Sequence, residues 1–222
     1  KTQLLIKTLP RVVIISTGDE LIDVVHTPGP YQVRRSNDYT LQSLLSQHHI
    51  LAELIHLPDD HDVITIQLQA CLDNFDVVLL SGGISMGKFD LVPSILEALG
   101  VKKLFHKVSQ RPGKPFWFGT HNRGAKVFAF PGNPVSTFMC LHRYFIPWLN
   151  SCLGIKSPAL VAALSEDFNF EPELQYFLQV KVTVDESARI IATPVQGNGS
   201  GDFANLVDTD AFLELPKERS NF

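Results

Sequence analysis

The chain has 222 residues, 45% hydrophobic and 19% charged, with 14 Gly, 14 Pro and a formal net charge of −4. A chain of this size buries roughly 70% of its unfolded surface, and the composition excludes collagen-like, disordered and disulfide-scaffold classes. No apolar run is long enough to cross a bilayer, and the slightly acidic balance argues against a broad basic face for nucleic acid.

From Arg11 to about Leu149 short aliphatic runs alternate with helical periods. Arg11 to Ser16 reads as a strand, and Leu41, Leu44, Leu45 and His48 then recur at helical spacing. Ile50 to Leu57 is a strand, followed by a helix marked by Ile64, Leu68, Cys71 and Leu72. Phe75 to Ser81 is a strand and Leu91, Ile95 and Leu99 mark a helix. Val101 to Gly119, with the turn His121-Asn122-Arg123-Gly124, reads as an extra strand and a hairpin near one edge. Lys126 to Phe130 closes the series, and Val135 to Leu149 carries a long apolar stripe that includes His142. Near-continuous apolar strands separated by helices predict an α/β unit, a mostly parallel sheet covered on both faces.

Past Trp148 the pattern changes. Leu178, Val180, Val182 and Val184 alternate with polar residues, Arg189 to Val195 forms a second strand, and Ala211 to Leu215 a third. The expected organisation is an α/β domain over residues 1–150 and a small all-β, barrel-like domain over 151–222. Cys71, Cys140 and Cys152 have no metal-ligand spacing and are expected to be buried, reduced thiols, which with the lack of a signal peptide points to a cytoplasmic setting. The absence of an initiator Met suggests a fragment of a longer protein.

Ligands of open parallel sheets bind beyond the carboxyl ends of the strands, where this sequence places its polar strings. Thr17-Gly18-Asp19-Glu20 follows the first strand, Ser81-Gly82-Gly83-Ile84-Ser85 the third, and Pro131-Gly132-Asn133-Pro134-Val135-Ser136 the fourth. Gly82 and Gly83 suit backbone donors aimed at an oxyanion, with hydroxyls from Ser81, Ser85 and Ser136 in support. The plainer alternative is that each glycine string merely turns the chain, with Asn133 as N-cap and Pro134 as the first helical residue. Arg111-Pro112-Gly113-Lys114-Pro115 adds a planar fork and a point charge on a loop stiffened by proline. Asp19 and Glu20 are the rim carboxylates, suited to Mg²⁺ or to proton handling; Asp90 is a second candidate, or simply a helix N-cap.

Taken together, ISTGDEL (Ile15 to Leu21), SGGISMG (Ser81 to Gly87), RPGKP (Arg111 to Pro115) and PGNPVS (Pro131 to Ser136) resemble the molybdopterin molybdenumtransferases, to which the gephyrin E-domain is related. The resemblance covers Arg11 to about Trp148 and continues into the family's C-terminal β-barrel domain. It implies Mg²⁺-dependent insertion of molybdate into adenylylated molybdopterin with release of AMP. It implies Asp19 and Lys114 as catalytic groups and Asp19 and Asp90 as metal ligands. Ser81, Gly82, Gly83, Ser85, Arg111, Gly132, Asn133 and Ser136 become substrate contacts. It implies a homodimer fed by a molybdopterin adenylyltransferase, with neither nucleic acid nor membrane as partner. The alternatives are an ATP-using adenylyltransferase on the same fold and a catalytically silent binding or scaffold domain. Two departures stand out. Arg35 occupies the place of the family's usual Asp before the first helix, leaving Asp38 or Asp19 to compensate or the reaction altered, and Lys88 stands where an acid is common. The family's two N-terminal domains are absent, so the chain is expected to be the C-terminal part of a longer, dimeric enzyme.

Overall fold

The computed structural model describes residues 3–84, 91–156, 158–195, 197, 199 and 201–222. The first strands in chain order are β1 (Val12–Thr17), β2 (Leu21–Ile22), β3 (Val33–Arg34), β4 (Glu53–Leu57), β5 (Val77–Ser81) and β6 (Val101–His106). They are followed by β7 (Gln110–Arg111), β8 (Trp117–His121), β9 (Lys126–Phe130), β10 (Ala163–Leu164), β11 (Gln175–Val184), β12 (Ile190–Pro194) and β13 (Ala211–Leu215). The helices are α1 (Ser36–Gln47), α2 (His61–Asn74), α3 (Val92–Ala98), α4 (Pro134–Cys140) and α5 (Ile146–Leu153).

The first sheet has six strands in the order β4-β1-β5-β9-β8-β6. β4, β1, β5 and β9 are mutually parallel, whereas β8 and β6 are antiparallel additions at one edge. Every residue of β1 and β5 is buried because helices cover both faces. Alternation sorts their side chains. Val12, Ile14, Val77 and Leu79 pack with Leu41 and Leu45 of α1 and with Met139 and Phe145, while Val13, Ile15, Val78 and Leu80 face α2 and α3. The same period puts Ser16 and Ser81, partners in register, at the end of the α1 face.

Helix α2 is fixed at its start by Asp60, whose carboxylate accepts from the N–H groups of Asp62 and Val63 at 3.0 and 2.9 Å. The stripe from Val135 to Leu149 is less regular than its sequence period suggests. A π turn, Leu141–Phe145, joins α4 to α5 just before Pro147, which lacks an N–H for a helical bond. The extra residue rotates the following face, and His142 lies exposed against Phe138, ring centroids 4.7 Å apart, rather than in the core. Cys152 likewise departs from expectation: Cys71 and Cys140 are buried, but Cys152 sits exposed in the last turn of α5.

The second sheet, β10-β12-β11-β13, provides the expected all-β C-terminal unit. It is tied to the first unit by β7, which pairs in parallel with β11 so that Gln110 lies opposite Gln175 and Arg111 opposite Tyr176. The segment anticipated as one edge strand and a hairpin therefore makes two edge strands, and between them a short strand that belongs to the other sheet.

Candidate functional site

Because β1, β5 and β9 are adjacent and parallel, the loops that follow them leave the same edge of the sheet. Asn37, the second residue of α1, fastens the end of β5 to the loop after β9. Its amide nitrogen donates to Ser81 Oγ at 2.9 Å and to the Gly132 carbonyl at 2.8 Å. Ser81 is 4% exposed, so this contact sits in the interior end of the rim. Asn37 was not among the candidate residues. Its sequence signal is the string Arg34-Arg35-Ser36-Asn37 at the start of the helix, where the family resemblance drew attention to Arg35 alone.

The first turn of α1 is itself held by charge. Arg35 reaches Asp23 at 2.5 Å and Asp38 at 3.6 Å, and Asp38 accepts from Ser16 Oγ at 2.7 Å. The Tyr39 hydroxyl donates to Asp23 at 2.8 Å. That hydroxyl, together with the Val25 N–H and Arg35, holds the Asp23 carboxyl down at about 2. Burial pushes the Asp38 carboxyl above the ordinary carboxylate range, against the opposing pull of Ser16, Arg35 and His56. The departure at Arg35 thus has a structural account: the cation is spent on Asp23 and Asp38, and Asp38 is occupied in holding the helix.

A cleft of about 570 Å³ opens between the RPGKP loop, the PGNPVS loop and the C-terminal sheet. Arg111, Lys114, Gly132, Asn133 and Ser136 line it from the first unit, and Tyr176 and Gln179 from β11. Arg111 lies 6.0 Å from the centre of the Phe170 ring, which stacks on Tyr176 at 4.1 Å. No Asp or Glu lines the cleft among the described residues. Gly113 lets the RPGKP loop press on α4. At φ +90° it is left-handed, and a Cβ there would lie 2.5 Å from Cys140 Sγ and 2.8 Å from Gln110 Nε2. Gly113→Ala should therefore cost about 2 kcal/mol or more in urea unfolding, and an unchanged midpoint would contradict this packing.

Among the described candidates, Asp19, Ser81, Gly82 and Gly83 do not line the cleft. Asp19 is exposed in the loop after β1, and one carboxylate oxygen accepts from the Asp59 N–H at 3.1 Å. Gly82 does not aim its N–H at a ligand: it donates to the Phe130 carbonyl at 3.3 Å, because the β5 ladder with β9 runs on by one residue. Gly83 is required by packing, since a Cβ would lie 2.7 Å from Val92 Cγ2 and 2.9 Å from Thr17 Oγ1 at φ +67°. Asn133 stands at the N-cap position of α4, but its side chain makes no cap bond; its carbonyl accepts from the Thr137 N–H at 3.0 Å. Ser85, Lys88 and Asp90 lie outside the described residues.

These features define an α/β domain with a cationic cleft bordered by a second, all-β unit. Comparison with known proteins agrees. Residues 13–151 match the family described as "Probable molybdopterin binding domain", and 161–222 match "MoeA C-terminal region (domain IV)". A molybdopterin molybdenumtransferase from Synechocystis sp. is 43% identical over 224 residues, an alignment that takes in 100% of this chain and 55% of that protein. Its namesake from Haemophilus influenzae is 30% identical over 216 residues, 95% of this chain and 53% of that protein. The crystal structure of a molybdopterin biosynthesis moea protein from Pyrococcus horikosii matches with a TM-score of 0.78 at 27% identity, covering 96% of this chain and 51% of that one. The chain belongs to the molybdopterin-binding domain family and carries the MoeA-type C-terminal region behind it. It spans about half the length of the curated relatives it matches. No helix among the described residues is long and apolar enough to cross a membrane.

Proposed function

We propose that this chain forms the oxyanion-binding part of a molybdopterin molybdenumtransferase, one that inserts molybdate into adenylylated molybdopterin and releases AMP. The observation that carries the reading is the joining of the end of β5 to the post-β9 loop by Asn37, beside a cleft whose only charged lining groups among the described residues are Arg111 and Lys114. A tetrahedral dianion suits an Arg fork, an ammonium and hydroxyl donors fixed before it arrives. In this reading Arg111, Lys114 and Ser136 hold the oxyanion, and the loop Gly132-Asn133 passes beside it. Ser81 supplies a hydroxyl at the inner end.

Mg²⁺ commonly takes one or two carboxylates and completes its shell with water and substrate phosphate oxygens. An exposed carboxylate with one oxygen engaged by Asp59 suits that mode, so Asp19 would hold the ion, with Asp90 the other candidate. Among the described residues no cluster of three His, Cys, Asp or Glu forms a closed metal cage. When bound, Mg²⁺ supplies charge neutralisation at the phosphate from which AMP departs. We place the domain boundary at residues 150/151 and the working enzyme in the cytoplasm, as a homodimer supplied by a molybdopterin adenylyltransferase.

The test is AMP release by the full-length protein from adenylylated molybdopterin, with and without molybdate. AMP should appear only with molybdate and Mg²⁺; release that ignores molybdate would overturn the reading. Asp19→Asn should lower the rate at least about tenfold with the fold intact, and an unchanged rate would remove Asp19 from the mechanism.

A further inference from the structure

A buried amide braces the loop that carries Arg111 and Lys114. Gln110, 2% exposed, immediately precedes Arg111, and its Nε2 donates to the Pro112 carbonyl at 3.1 Å, so its side chain ties together the backbone on either side of Arg111. The same nitrogen lies 3.6 Å from Cys140 Sγ of α4. The Tyr144 hydroxyl donates to the Gln110 side-chain oxygen. Tyr144 belongs to the π turn Leu141–Phe145, and its ring stacks on the buried Phe116 with centroids 4.2 Å apart and planes 10° from parallel. Phe116 in turn donates its N–H to the Gly113 carbonyl at 3.0 Å.

These bonds have a fixed direction. A carbonyl accepts and never donates, so the amide turns its nitrogen to Pro112 and its oxygen to Tyr144. The phenol then has to donate, and burial, which pushes its pKa up to about 12, keeps that proton in place at neutral pH. We infer that Tyr144 and Gln110 are positioning residues for anion binding: the phenol orients the amide, and the amide sets the turn from which Arg111 and Lys114 line the cleft. Neither group needs to touch the anion. With the hydroxyl removed, the buried Gln110 oxygen loses that donor, a cost the amide relieves by rotating, which takes Nε2 off Pro112. The inference rests on the molybdotransferase reading for the anion in the cleft, and it adds the π turn to the parts of the fold that shape the site.

Tyr144→Phe deletes the hydroxyl and keeps the ring on Phe116. In the full-length protein it should weaken molybdate binding at least about threefold by titration calorimetry, the effect of one hydrogen bond. In molybdate-dependent AMP release the KM for molybdate should rise by the same factor with kcat within about twofold, because a shifted cradle weakens the anion alike in ground and transition states. Gln110→Met removes both bonds at similar volume and should do the same, and adding Tyr144→Phe to it should weaken binding no further. Residues serving stability alone would lower the urea midpoint and leave affinity and KM where they were. If one variant does not fold, the other decides. Molybdate bound within about threefold of the unsubstituted protein by either folded variant, a loss of kcat with KM unmoved, losses that add in full in the double variant, or an unsubstituted protein that binds no molybdate would overturn the inference. Failure here and failure of the proposed function are separable. Molybdate-dependent AMP release with affinity unmoved in the variants sinks only the positioning role, whereas weakened anion binding in the variants beside AMP release that ignores molybdate sinks only the transferase reading.

Discussion

Arg35→Leu should cost about 3 kcal/mol of unfolding free energy at pH 7.5, the effect of breaking a largely buried ion pair by removing one partner. The guanidinium is 14% exposed and faces Asp38, which is 1% exposed, so the substitution leaves an almost fully buried carboxylate without its cation. The loss should depend on pH in a defined direction. Burial already raises the Asp38 carboxyl, and Arg35 is among the groups holding it down, so the variant's Asp38 rises further. A carboxyl with a folded pKa above its unfolded value binds its proton more tightly in the native state. Its contribution is therefore most favourable below the unfolded pKa of about 4 and declines as pH rises through the folded pKa. Asp23 works the other way: held at about 2, it contributes stability above the unfolded pKa that is lost as pH falls toward 2. Arg35→Leu should thus be less damaging at pH 4.5 than at pH 7.5 in urea unfolding. An equal cost at both values would mean that Arg35 contributes packing alone.

Asn37→Ala should lower molybdate-dependent AMP release about 100-fold, since displacing a positioned group by an angstrom has effects of that order. The amide joins the end of β5 to the loop after β9 through Ser81 and Gly132. We regard it as a positioning residue, because it acts through Ser81 and the Gly132 carbonyl. A double-mutant cycle separates that role from general loosening of the fold: in a Ser81→Ala background the further change at Asn37 should cost far less than it does alone. Full additivity, or a fall in unfolding free energy matching the fall in rate, would make Asn37 a structural residue only.

Local pattern carried much of this architecture. β1, β5 and β9 are visible as apolar runs because both faces of a parallel sheet are covered, and the β8–β9 turn is visible because Asn122 to Gly124 has turn chemistry. The rim loops could be placed for the same reason: strings rich in glycine and proline follow strands whose ends must share one edge. Pairings made at a distance left no local mark. Gln110 and Arg111 look like loop, and they become a strand only through β11, more than sixty residues on. Asn37 looks like a helix start, and its importance lies in Ser81 and Gly132, 44 and 95 residues away. Gly82 misled in the opposite sense. A glycine after a strand suits either a ligand or a continued ladder, and here the Phe130 carbonyl claims the N–H. Arg35, read in sequence as a cation in an acid's place, becomes intelligible once Asp23 and Asp38 are seen on either side of it.

The most direct test of the whole account is to locate molybdate itself, by anomalous scattering from crystals of the full-length protein soaked in the anion. A peak between the Arg111 to Lys114 loop and Ser136, in the cleft under Tyr176, is the predicted outcome. A well-occupied peak at any other place, with that cleft empty, would contradict it.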